Sequence, residues 1–161
     1  MFDEEAEALE LLGSAEVFRG LTQEDLQALL KICKRETRKR HEVILNEGQT
    51  GPGLYIVIRG LVEVYLPKSS ADGKERFSRI TLNQMSSGAC LGEYSLIDNN
   101  LASASVVCLE ETTLFKITRL DFEELVDTSN RLGNIIYRNL LLALIQRLRD
   151  KDLELDVFSL A

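Results

Sequence analysis

The chain has 161 residues, 45% of them hydrophobic, so it is long enough to bury one substantial core and short for two. Its formal net charge of −7 argues against binding of nucleic acid by the whole surface. No apolar run approaches the roughly 20 residues that span a bilayer, and the acidic first residues lack the pattern of a secretory signal. We therefore expect one globular domain over residues 1–161, located in the cytoplasm.

The first two predicted elements are helices. Residues 3–12 suit an acidic helix. Before a second helix, Thr22 and Asp25 have the spacing of a capping box, in which a side chain at each position bonds the backbone N–H of the other. Apolar residues then recur at helical spacing: Leu26, Leu29, Leu30 and Cys33.

Six basic residues follow between Lys31 and Arg40. We interpret this segment as the solvated end of the second helix, where cations interact favourably with the helix dipole. The alternative is a docking patch for an acidic partner or, more weakly, for nucleic acid.

From His41 to Ile117 the pattern changes to short strands separated by turns. Alternating or continuous apolar runs predict strands at 43–45, 54–58, 62–66, 80–82, 104–108 and 114–117. Gly51-Pro52-Gly53 is a strong turn signal, and residues 68–74 are a polar loop. Several short strands with regular turns indicate an antiparallel sandwich or barrel.

Two helices are predicted to close the chain, a short one after Thr118 and a long one over about 131–150. The long helix carries two apolar stripes, one of Leu132, Ile136, Leu140 and Ala143, and one of Ile135, Leu142 and Ile145. One stripe suits the barrel, and the other favours a homodimer through this helix. Alternatively, residues 151–160 fold back over the second stripe. Asn139 would set the register of such a dimer or face solvent.

The most specific local pattern lies between Gly88 and Val106. Gly92 permits a tight turn, residues 93–97 suit a one-turn helix, and Asp98-Asn99-Asn100 is a loop signal. Residues 102–106 then suit a half-buried strand. The segment resembles the phosphate-binding cassette of the cyclic-nucleotide-binding domain family, whose cassette reads roughly Gly-Glu-Leu-Ala-Leu, a loop, and Pro-Arg-Ala-Ala-Thr-Val. The matching residues are Gly92, Glu93, Leu96, Ala104, Ser105 and Val106.

The resemblance covers about residues 15–150. Residues 18–22 resemble the family's entry into its first helix, residues 54–64 its central hairpin, and residues 114–122 the exit from its barrel. It implies a mainly β fold: an antiparallel jelly-roll β-barrel with N-terminal helices and a short plus a long C-terminal helix. It also implies a ligand site for cyclic AMP or cyclic GMP formed by Gly92, Glu93, Tyr94, Ser95, Ala102, Ser103 and Ser105. In that site Glu93 would accept a hydrogen bond from the ribose 2′-hydroxyl, the amides of Tyr94 and Ser95 would face the phosphate, and Ser105 would contact phosphate or base.

This chain departs from the family at the position of the arginine that pairs with the cyclic phosphate. Ala102 occupies that position, and Leu101 occupies the proline position before it. Arg59, Arg76 and Arg79 are candidates for a substitute cation. Structural alternatives also stay open: Glu93 caps backbone N–H groups of the turn, Tyr94 packs at the rim, and Ser103 and Ser105 pack as polar strand residues.

The three cysteines, Cys33, Cys90 and Cys108, are widely separated and favour reduced thiols. With one histidine, His41, and no Cys-x-x-Cys, the sequence predicts no metal site. It also lacks a clear nucleophile–base pair and a phosphate loop, so we expect no enzymatic activity.

We therefore expect a regulatory ligand-sensing module that binds ordinary cyclic AMP and cyclic GMP weakly or not at all. The expected ligand is a nucleotide-like or other small molecule, with no further cofactor. The alternative is a protein-interaction module with a vestigial pocket, acting through its C-terminal helix. About ten residues follow the predicted helix, so we expect no DNA-binding domain of the family's kind, no membrane contact and a separate effector protein.

Overall fold

The computed structural model describes residues 2–160, apart from the side chains of residues 2–4, 158 and 160. It begins with α1 (Phe2–Ser14), a 3-10 turn (Glu16–Phe18) and α2 (Gln23–Ile32). The predicted capping box at α2 is confirmed. The Thr22 hydroxyl accepts the Asp25 N–H at 3.2 Å, and the Asp25 carboxylate accepts the Thr22 N–H at 2.8 Å. Two N–H groups at the helix start are thereby satisfied.

Within residues 2–160 the chain forms eight strands in two four-stranded antiparallel sheets. They are β1 (Lys34–Arg38), β2 (Val43–Leu45), β3 (Leu54–Arg59), β4 (Val62–Leu66), β5 (Ile80–Met85), β6 (Cys90–Leu91), β7 (Ser105–Cys108) and β8 (Thr112–Ile117). The orders are β1-β8-β3-β6 and β2-β7-β4-β5. The predicted jelly-roll barrel with flanking helices is confirmed.

The prediction that the basic segment ends the second helix is wrong. α2 ends at Ile32, its C-cap Cys33 has extended backbone, and Lys34–Arg38 pairs with β8 from Lys34↔Lys116 to Arg38↔Thr112. All five residues of β1 are polar, so β1 lacks the alternation of apolar and polar residues that marks a strand in sequence. Pairing with β8 therefore decides its structure rather than local propensity.

Two groups of buried side chains hold the fold together. The first cluster lies inside the barrel and includes the buried residues Tyr55, Val57, Val62, Val106 and Leu114. A second cluster joins the helices to the outer face of the β3–β8 pair, because it contains Ile56 and Phe115 together with buried residues of all four helices. The C-terminal helices are thus anchored to the same sheet that carries β6.

α3 (Arg119–Thr128) begins at the predicted cap, where the Thr118 hydroxyl accepts the Asp121 N–H at 3.2 Å. α4 (Asn130–Leu160) continues well beyond the predicted end near residue 150. The alternative that residues 151–160 fold back over the helix is therefore wrong. These residues contain neither glycine nor proline, so nothing in the sequence interrupts the helix.

The first half of α4 packs on the barrel, and its second half extends beyond it. Leu132 and Ile136 are buried, but every described residue after Ala143 is exposed. The Asn139 amide donates to the carbonyls of Val17 at 3.1 Å and Arg19 at 2.8 Å, instead of facing solvent or a second helix. Among the described helices, none has an apolar stretch of the length needed to span a membrane.

Candidate functional site

A tight turn at Gly92 joins β6 to a 3-10 turn (Glu93–Leu96). Gly92 has φ 72°, and a Cβ built there would lie 2.7 Å from the Gly53 carbonyl oxygen. The position therefore requires glycine both for its backbone conformation and for space. The Ser95 hydroxyl lies 2.9 Å from the Gly53 carbonyl oxygen and 2.5 Å from that of Gly92, which fixes the turn against the β2–β3 connection.

Beside this turn lies a cavity of about 430 Å³. Six of the residues predicted from the resemblance line it: Gly92, Glu93, Tyr94, Ser95, Ala102 and Ser103. The other residues that line the cavity are mainly apolar and include Leu45, Val64, Met85, Leu91 and Val106. The cavity thus combines an apolar interior with a polar edge, which is typical of small-molecule sites.

Ser105, the seventh predicted residue, is not among the lining residues. Its side chain is buried, and its hydroxyl accepts the Glu47 N–H at 2.9 Å. The Ser95 N–H is also engaged within the fold, because it donates to the Gly92 carbonyl at 3.0 Å. Both groups therefore stabilise the cassette and its neighbouring turn in this structure.

The polar edge of the cavity contains Arg147, a residue of α4 that the sequence analysis missed. Its Nη2 lies 2.5 Å from Glu93 Oε1, and its Nη1 donates to the Tyr94 hydroxyl at 2.6 Å. The guanidinium carbon also lies 5.5 Å from the centre of the Tyr94 ring. Burial lowers the pKa of Arg147, but the Glu93 charge and hydrogen bonds outweigh it, so the net pKa shift is upward. Glu93 is thus paired with a cation.

The three arginines proposed as substitute cations lie elsewhere. Arg76 forms two hydrogen bonds with the buried Glu47, at 2.6 and 2.8 Å. Arg79 pairs with Glu63 and stacks over Tyr65 with 4.0 Å between guanidinium carbon and ring centre. Arg59 is exposed at the end of β3. Of the described residues that line the cavity, Arg147 is the one with a permanent positive charge.

One signal in the sequence could have identified Arg147. It follows Ile136, Leu140 and Ala143 at helical spacing, so it extends the stripe that packs on the barrel. A charged residue on a packed stripe needs a partner. The partner Glu93 belongs to a distant segment, however, and only the fold brings the two together.

The charged side chains that line the cavity are Glu93, Asp98 and Arg147, so their formal sum is −1. Cys90 also lines it, and burial raises the pKa of its thiol to about 12, so it is neutral at pH 7. The described residues contain no group of three or more side chains arranged to hold a metal ion. The mainly apolar cavity with its polar edge is suited to binding a small molecule.

Comparisons with known proteins agree with this architecture. A family model described as cyclic nucleotide-binding domain matches residues 35–129. The chain is 34% identical over 143 residues to the cyclic AMP receptor protein of Thermus thermophilus, a match that covers 89% of this chain and 62% of that protein.

Solved structures of similar proteins share this fold. The crystal structure of the Thermus thermophilus catabolite activator protein has a TM-score of 0.74 and 32% identity, covering 90% of this chain and 63% of that one. A cyclic nucleotide-binding domain from Methylobacillus flagellatus has a TM-score of 0.76 and 26% identity, and the match covers 92% of this chain and 80% of that one. The chain therefore spans less than two thirds of the length of both Thermus proteins.

Proposed function

Because the chain belongs to the cyclic nucleotide-binding domain family, we propose that it is a non-enzymatic regulatory module whose cavity senses a small ligand. Its affinity for ordinary cyclic AMP and cyclic GMP is weak or absent. The observation that carries the proposal is Ala102, which lines the cavity where the family resemblance places an arginine.

The missing arginine has a large effect on affinity. A hydrogen bond between charged groups contributes about 1.5–3 kcal/mol, and ~1.4 kcal/mol corresponds to a factor of ten in affinity. Replacing arginine by alanine therefore weakens phosphate binding by one to two decades from this contact alone. The full penalty is larger where the phosphate is left buried without a counter-charge.

Arg147 does not restore the lost charge balance. Its guanidinium is already paired with Glu93, and the charged lining residues sum to −1 before any ligand enters. An incoming cyclic phosphate, itself an anion, must either remain unbalanced or withdraw Arg147 from Glu93. Both routes reduce the affinity for an ordinary cyclic nucleotide.

Titration calorimetry with cyclic AMP and cyclic GMP tests the proposal. We expect dissociation constants above about 10 μM, or no measurable heat. A dissociation constant of about 1 μM or below, roughly −8 kcal/mol, contradicts weak binding and means that another cation balances the phosphate.

A rescue variant tests whether Ala102 is the cause. Ala102→Arg adds a planar donor that suits phosphate, so we expect at least a tenfold gain in affinity for a cyclic nucleotide. Ala71→Arg, on an exposed loop, adds the same charge elsewhere and should leave affinity unchanged. Glu93→Ala in the Ala102→Arg background should weaken binding again, because we expect the loss of the ribose contact that the resemblance implies for Glu93 to outweigh the release of Arg147.

A second candidate function is a protein-interaction module with a vestigial pocket, which acts through α4. It is supported by the exposed apolar residues of that helix, such as Leu141, Leu148 and Leu155, which are 56%, 54% and 67% exposed. A folded Ala102→Arg variant that gains no nucleotide binding favours this candidate. In either case we propose that α4 pairs with a second copy of the chain and transmits the output to an effector protein.

A further inference from the structure

The basic segment that the sequence analysis singled out forms the open edge of a sheet. β1 (Lys34–Arg38) is first in the order β1-β8-β3-β6, so it has a neighbour on one side. On the other side, no backbone hydrogen bond joins β1 to another of the described residues. Alternate N–H and C=O groups of the strand therefore point outward, as in any edge strand.

Most of the cations around this edge have no carboxylate partner. Arg35, Lys39 and Arg40 are exposed and form no ion pair within the described part of the chain, and Lys34 reaches Asp121 only at 3.6 Å. Residues 31–40 hold six cations and one carboxylate, which give this segment a formal net charge of +5. Since the formal net charge of the whole chain is −7, that of the remaining residues is −12. The edge is thus a local positive patch on an acidic protein.

We propose that the free edge of β1 binds a short, extended, acidic segment of a partner protein, which adds a strand to the sheet. An added strand would satisfy the outward backbone groups. Its side chains would lie about 4.5–5.5 Å from those of β1, so alternate carboxylates would meet Arg35 and the neighbouring cations. A five-residue strand is about 17 Å long, which matches a segment of five to seven residues.

Two features favour this partner over others. Charged side chains, lysine above all, keep an edge strand from aggregating, and a cluster of cations without carboxylate partners also selects a negatively charged partner. A nucleic acid would extend beyond the patch and meet the rest of the protein, whose residues carry a formal net charge of −12. A short acidic segment contacts the patch alone.

The first test uses a fluorescein-labelled ten-residue peptide of alternating glutamate and threonine, and fluorescence anisotropy in 50 mM salt. The double variant Arg35→Glu, Arg40→Glu should bind the peptide at least tenfold more weakly than the unchanged chain. The matched control Lys68→Glu, Lys151→Glu reverses two exposed cations elsewhere, so both variants carry a net charge of −11. The control should bind within twofold of the unchanged chain.

The second test separates strand addition from simple charge attraction. The same peptide, N-methylated at every residue, keeps its charge but loses the N–H donors on both edges of a strand, and we expect at least a tenfold loss of affinity. Equal binding of the methylated peptide, equal losses in both double variants, or no binding of the parent peptide overturns the proposal. Tighter binding of a DNA duplex than of the peptide does so too. Circular dichroism verifies that each variant is folded.

Discussion

Gly92 shows how strictly one residue constrains the cassette turn. Two separate constraints act there, a positive φ that disfavours any side chain and a backbone oxygen 2.7 Å from where a Cβ would lie. Gly73 shares the first constraint, with φ 85°, but has no atom within 4 Å of a built Cβ. Comparing substitutions at Gly92 and Gly73 therefore separates the effect of backbone strain from the effect of steric overlap.

We expect Gly73→Ala to lower the free energy of unfolding by about 1 kcal/mol, the usual effect of a side chain in the left-handed region. Gly92→Ala should lower it by at least about 3 kcal/mol, because the Gly53 carbonyl must also move. Urea denaturation of both variants measures the difference. Equal losses would mean that the turn at Gly92 relaxes freely around the added methyl group.

Asp25 links two helices through its charge. It closes the capping box of α2 and also lies 2.5 Å from Arg131 at the start of α4. The Arg131 hydrogen bond is the main cause of the lowered pKa of Asp25. A carboxyl group with a lowered pKa in the folded state stabilises the fold above its unfolded pKa of about 3.9. That contribution disappears as the pH falls through the folded value.

Asp25→Asn should therefore lower the free energy of unfolding by about 1–2 kcal/mol at pH 7. The difference from the unchanged chain should begin to shrink below about pH 4, where the carboxylate of the unfolded chain becomes protonated, and it is lost as the pH falls through the lower folded pKa. Urea denaturation at pH 7 and pH 3 measures both quantities. Asp127→Asn, at an exposed position of α3, should change neither. A loss of equal size at both pH values would contradict a role of the charge.

At the scale of elements, α4 has one face that packs on the barrel along its first half and another face that is exposed along the whole helix. Leu132 and Ile136 hold its first half on the barrel, whereas a longer apolar stripe faces solvent. This stripe consists of Tyr137, Leu141, Leu144, Leu148 and Leu155, all at least 38% exposed. It differs from the stripe predicted from sequence, in which Ile135 is half-buried whereas Leu142 and Ile145 are exposed. Its spacing of four, three, four and seven residues is that of a heptad repeat.

The variant Leu141→Glu, Leu148→Glu should convert a dimer into a monomer of 18.1 kDa, because it places charges in the expected helix–helix contact. Light scattering at micromolar concentration measures the mass. Leu142→Glu, Leu153→Glu makes the same change on exposed residues about a third of a turn away, and it should leave the dimer intact. A mass near 18.1 kDa for the unchanged chain contradicts the dimer.

The sequence predicted elements with strong local signals and missed those that depend on distant partners. The Thr22 and Thr118 caps are local, so both helix starts were predictable. β1 has no apolar alternation and is a strand only through β8. Arg147 belongs to the cavity only because the fold places α4 beside Glu93. In the same way, Ser105 matches the family pattern, but its hydroxyl accepts a hydrogen bond from the Glu47 N–H of a distant segment.

At the scale of the whole molecule, folding and assembly should be coupled through α4. Every described side chain beyond Ala143 is exposed, and apart from the contacts of Arg147 with Glu93 and Tyr94, no hydrogen bond or ion pair joins this part of α4 to another described element. An isolated helix of about 15 residues is marginal in water. If a second copy covers this part, the melting temperature should rise with protein concentration. Differential scanning fluorimetry between 2 and 200 μM tests this, and Leu141→Glu, Leu148→Glu should abolish the dependence.

The contact of Arg147 with Glu93 and Tyr94 also gives α4 the geometry of a lever. A helix rises about 1.5 Å per residue, so the end near Leu160 lies about 20 Å beyond this contact. A rotation of about 10° around Arg147 would therefore move that end by about 3.5 Å. A rearrangement of a single ion pair at the cavity edge is thereby amplified at the far end of the helix.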